Sequence, residues 1–96
     1  MGLALNGLEI PALYETDHLP VDQPRVAYAK FFTPDAQWTW FVFEWDGEDT
    51  CFGRVDGLCS ELGYFSLKEL SSLKGPFGCP VERDAHWKPQ PIPITP

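Results

Sequence analysis

Six carboxylates, Glu44, Asp46, Glu48, Asp49, Asp56 and Glu61, fall between residues 44 and 61, with Arg54 the one cation among them. Crowded oxygens suit three kinds of chemistry: a hard divalent cation, acid–base work in a hydrolase, or a negative surface that meets a basic partner. The spacing of a calcium-binding helix–loop–helix is absent, and a hairpin would spread these side chains around its tip. A solvated negative turn and a partner-facing patch are the readings that remain. The patch is the sharper expectation, with all six residues as its partner-binding groups and no metal assigned.

Other constellations are weaker. Cys51, Cys59, Cys79, His18 and His86 have no two members at the short spacings from which structural zinc sites are built. Ser60, Ser66, Ser71 and Ser72 lack the G-x-S-x-G elbow of a nucleophilic serine, and Cys79 with His86 makes a thiolate pair only if the fold joins them. The loop Gly75-Pro76-Phe77-Gly78 has no lysine and follows a helix instead of preceding one, so it is no phosphate cradle. Glu82, Arg83 and Asp84 read as a charged edge strand that discourages sheet-to-sheet pairing. No catalytic residue and no cofactor is assigned.

Just before the acidic run lies WTWFVFEW, residues 38–45. Rings on alternate positions of a strand can stack nucleobases, but such platforms come with basic grooves, and here the neighbours are acidic. Burial in the core of a small sheet is the expected role of these rings.

The elements that must position these groups are bounded by size and charge. Ninety-six residues, 44% hydrophobic and 15% aromatic, suit a single domain over 1–96. Fourteen acidic against seven basic residues leave a net charge of −7, which repels phosphate backbones and favours a basic protein partner over direct nucleic-acid binding. The odd cysteine count without C-x-x-C spacing predicts free thiols. The start MGLALNGLEI reads as neither signal peptide nor myristoylation site, and nothing later approaches a membrane span, so a cytoplasmic protein without membrane contact is expected, monomeric or homodimeric.

Along the chain, residues 1–25 read as an irregular lead-in with one short helical turn near Leu8 to Tyr14. Val26 to Phe32 is expected as the first strand and Trp38 to Trp45 as the second. On that second strand, Trp38, Trp40, Val42 and Glu44 are expected on one face, with Thr39, Phe41, Phe43 and Trp45 on the other. Apolar residues on both faces predict a central strand covered from two sides. Asp46-Gly47 signals a hairpin into Thr50 to Val55, and Gly53 and Gly57 suggest a bulge or a close backbone approach. Glu61 to Phe65 is a further short strand. Ser66-Leu67-Lys68-Glu69 is a capping box that opens a helix carrying Leu67, Leu70 and Leu73, stopped by Gly75-Pro76. Val81 to Asp84 reads as an edge strand, and residues 86–96 as a proline-rich extended tail. The expected class is α+β: a small, mainly antiparallel sheet of about four strands with one short capped helix packed on it.

The pieces IPALY (10–14), KFFTPD (30–35), WTW (38–40), DGED (46–49), FGRV (52–55), ELGYFSL (61–67), EL (69–70) and VERD (81–84) occur in this order. In that order they resemble a small bacterial protein family of unknown function carried on plasmids, phages and integrative elements, over nearly the whole chain. The resemblance implies a mobile-element setting, in which small acidic proteins often oppose host defences. Two functions are therefore expected. The first is a non-enzymatic acidic binding module, of anti-restriction or anti-CRISPR type, that engages the basic surface of a host nucleic-acid-handling or defence protein. For it, reversal of Asp46, Glu48 and Asp49 to lysine is expected to abolish binding without unfolding the domain. The second is a small metal-assisted hydrolase using Glu44, Glu61 or Glu82 with Arg83.

Overall fold

A computed structural model describes Leu5, residues 7–16 and residues 23–93. Strands β1 (Arg25–Ala27), β2 (Ala29–Phe32), β3 (Thr39–Trp45), β4 (Thr50–Asp56) and β5 (Ser60–Ser66) precede helix α1 (Leu67–Ser72). Strands β6 (Glu82–Arg83) and β7 (Gln90–Ile92) follow it. Five of the strands form an antiparallel sheet in the order β5-β4-β3-β2-β6, and β1 pairs with β7 in a separate two-stranded ribbon.

The aromatic run lies at the centre of the larger sheet because it is apolar on both sides, and both sides are covered. On one face Phe31, Trp40, Val42 and Cys51 pack under Leu67 and Leu70 of the helix, with Leu5 and Val81 beside them. On the other, Phe43 packs with Ala27 and Ile92 of the ribbon, flanked by Phe41, Phe52 and Trp87. The Trp87 indole N–H donates to the Ala27 carbonyl at 2.9 Å and its ring lies against Phe41, which fixes the ribbon on the sheet.

Four expectations are corrected. The first strand is two: the chain leaves the ribbon at Ala27 and enters the main sheet at Ala29, with the intervening Tyr28 N–H donating to the Val42 carbonyl. Second, strict alternation along β3 breaks at a β-bulge between Val42 and Glu44. The extra residue turns Glu44 to the ribbon side, opposite Phe52, and sends Trp45 to the helix side, opposite Cys51. Gly53 stands across from Val42 where the register shifts, and a Cβ there would lie 1.7 Å from the Phe41 carbonyl oxygen, so the close approach demands glycine. Third, the main sheet has five strands, not about four, and part of the expected tail, Gln90–Ile92, is a paired strand. The segment from Leu8 to Tyr14 contains no helix; a turn at residues 13–16 stands in its place. His18 and residues 94–96 lie outside the described residues.

Among the described residues no helix is long and apolar enough to cross a membrane. The cysteines are free thiols, with Cys51 buried and Cys59 exposed.

Candidate functional site

The bulge decides the fate of the first carboxylate. Glu44 is 1% exposed, and its carboxylate takes the backbone amides of Tyr14 at 2.9 Å and Thr16 at 3.0 Å, together with the Thr16 hydroxyl. Tyr14 adopts a left-handed backbone, φ 68°, which helps the turn aim its amides at one anion. The buried Arg25 donates to the Thr16 hydroxyl oxygen at 3.3 Å, and its guanidinium lies 5.8 Å from the centre of the Phe52 ring. Glu44 therefore clamps the lead-in to the sheet from inside and cannot be offered to a partner.

At the hairpin apex the other acids are also drawn inward. One oxygen of Asp46 accepts the amides of Glu48, Asp49 and Thr50 at 2.8, 2.8 and 3.1 Å. These amide bonds, that of Glu48 first, hold the Asp46 carboxyl below its usual range. Asp49 accepts the Ser66 hydroxyl at 2.5 Å and the Lys68 amide at 2.8 Å, while its carbonyl takes the Leu67 amide at 2.9 Å. The helix start is thus capped twice, by Ser66 on the Glu69 amide and by Asp49 from the neighbouring turn. Of the apex acids, only Glu48 has its side chain without a bonded partner among the described residues. Asp46 and Asp49 thus hold the turn and the helix start, so reversing 46, 48 and 49 to lysine removes these bonds together with the surface charge.

Asp56 and Glu61 belong to the opposite end of the strands. Asp56 is paired with Arg54 at 2.7 Å, and Arg54 also donates to the Pro93 carbonyl at 2.8 Å, tying the end of β7 to β4. Glu61 is exposed, stands opposite Val55, and has no bonded partner among the described residues. The six carboxylates are therefore not one patch. They are divided between the interior, the apex and the far end of the sheet.

Unassigned at the outset, the far end carries the more distinctive surface. Trp38 stacks on Trp40, ring centres 6.0 Å apart at 27°, and lies so close to Gly57 that a Cβ there would meet its ring at 2.4 Å. Trp38 nonetheless remains 41% exposed, Leu58 and Leu73 beside it are 96% and 46% exposed, and Phe77 in the loop after α1 is 86% exposed. Its ring divides two hollows. One of about 320 Å³ is lined by Trp38, Trp40, Leu73, Lys74 and Pro76 among others; one of about 190 Å³ by Trp38, Val55, Leu58, Cys59 and Glu61. Asp35 holds this end together: it accepts the amides of Phe77 at 2.8 Å and Cys79 at 3.2 Å, joining the β2–β3 turn to the loop after α1. Burial alone would raise its pKa, but those amides bring it below the usual carboxylate value. The signal missed in the sequence was Leu58, an apolar residue beside Gly57 in a turn with no burial to gain.

Among the described residues no three of His, Cys, Asp and Glu are grouped to hold a metal ion. Burial, and then the charges of Asp46 and Asp49, push the Cys51 thiol up to about 12, and burial also raises Cys79. Neither is an activated nucleophile.

The profile of a family described as a protein of unknown function, DUF2958, matches residues 2–95, and the chain belongs to that family. No curated protein and no solved structure matches it.

Proposed function

We propose that this DUF2958 protein is a non-enzymatic binding module that meets a basic protein surface through the end of the sheet around Trp38, not through the hairpin apex. One observation carries the reading: three large apolar side chains, Trp38, Leu58 and Leu73, stay in water around two adjoining hollows. Exposed apolar clusters with a polar rim mark contact sites, and a half-exposed tryptophan at the centre is the kind of residue that dominates binding energy. The net charge of −7, with Glu61 at the rim, selects a basic partner and speeds its approach.

The partner class we propose is a nucleic-acid-handling or defence protein of a bacterial host, whose basic surface matches this charge; inhibition of such a protein would be a counter-defence role. The test is affinity capture from a bacterial host lysate at low and at high salt, with Glu61→Lys as control. A basic protein retained at low salt, released at high salt and lost with the reversal is the expected result. Capture insensitive to both salt and the reversal contradicts the reading.

A further inference from the structure

We propose that the smaller hollow is an arginine site: a partner's guanidinium lies against the Trp38 indole and donates to the Glu61 carboxylate. This rests on the reading of the Trp38 end as a contact face and names the chemistry it recognises.

The hollow has the two parts that such recognition needs. Its wall is an indole held in place by Trp40 and Gly57, so little order is lost when a ligand stacks on it. Its rim holds a carboxylate that no cation of the described residues neutralises, set on the strand row Trp40–Val55–Glu61 and therefore on the same side of the sheet as Trp40. Val55 and Leu58 supply apolar walls for the methylene stem of a long side chain. Arginine suits this better than lysine because its planar, weakly hydrated head stacks on a ring while keeping in-plane N–H groups for a carboxylate. The protein already places cations on rings internally, with Arg25 over Phe52 and Lys30 over Trp87.

Across Trp38 the larger hollow sets the next requirement. It is apolar, formed by Trp38, Trp40, Leu73 and Pro76, and Lys74 at its border disfavours a second cation. The occupant is therefore an extended basic segment that places one arginine beside Glu61 and an apolar side chain in the larger hollow.

The experiment is a titration of ¹⁵N-labelled protein with N-acetyl-arginine amide, following the Trp38 indole N–H, with N-acetyl-citrulline amide as the neutral isostere. A saturable shift at roughly millimolar concentration is expected for so small a ligand. Glu61→Gln is expected to weaken it about tenfold. No shift with the arginine amide, an equal response to citrulline, or an unchanged Glu61→Gln titration each overturns the proposal. Because Glu61 is exposed, that variant keeps the fold, which the unchanged Trp40 indole signal verifies. A captured partner that still requires Leu58 while the arginine amide leaves Trp38 unmoved would remove the arginine site alone. An arginine response without any partner depending on this end would remove the binding-module reading instead.

Discussion

Asp49 and Ser66 face each other at 2.5 Å, so a residue of the β3–β4 turn closes the N-terminus of a helix that begins seventeen residues beyond Thr50, where β4 starts. A two-turn helix is too short to persist alone, and this cap joins the leucines beneath it in holding it down. Ser66→Ala and Asp49→Ala are each expected to cost about 1 kcal/mol, the usual worth of a cap. Urea unfolding of both variants and of the double variant checks this. Since the two side chains act on one another, the double variant is expected to cost less than the sum.

The Glu44 clamp carries a larger expectation. Glu44→Gln keeps the shape but removes the charge that two backbone amides and a hydroxyl address, and a cost of about 2 kcal/mol is expected from charge-assisted bonds lost in the interior. Glu44→Ala is expected to cost more, and to speed amide hydrogen exchange at Tyr14 and Thr16 before the sheet itself opens.

Acid is expected to loosen both ends of the sheet. Asp35 and Asp46 have folded values below their ordinary 3.8, so the unfolded chain binds their protons more readily. Their contribution is fully present above 3.8 and is lost as pH falls through the lower folded values. Hydrogen exchange of the Phe77 and Cys79 amides, followed downward from pH 5, reads the Asp35 part; exchange at Glu48 and Asp49 reads the Asp46 part. Asp35→Asn is expected to flatten the first and leave the second.

Thiol reactivity divides the cysteines. Cys59 is exposed in the smaller hollow, whereas Cys51 is buried with its pKa pushed up to about 12. A disulfide reagent at pH 8 is expected to label Cys59 quickly and Cys51 only at the rate of unfolding.

The difference between what the sequence showed and what it hid follows its range of interaction. Local signals are legible: the Ser66 cap, the Asp46-Gly47 hairpin and the close approach at Gly53 depend on neighbours within a few residues or on a missing Cβ, and the alternating charges of Glu82–Arg83 mark an edge strand. A period-two pattern cannot show a bulge, so it places Glu44 with Trp40 and Val42, whereas the fold turns it to the opposite face beside Phe52. Counting carboxylates likewise says nothing of which amides their oxygens take. Glu44 finds amides some thirty positions away, and Asp49 caps a helix in another element. The Trp38 end stayed hidden because it is assembled from the start of β3, the β4–β5 turn and the segment after α1, which only the folded sheet brings together.

Binding at the Trp38 end instead of the hairpin apex is tested most directly by isotherms of one captured partner against two surface variants, Leu58→Asp and Glu48→Lys. Leu58→Asp is expected to weaken binding at least ~tenfold, as loss of a central contact does, and Glu48→Lys to change it within ~twofold. Full affinity in Leu58→Asp together with collapse in Glu48→Lys would contradict the account.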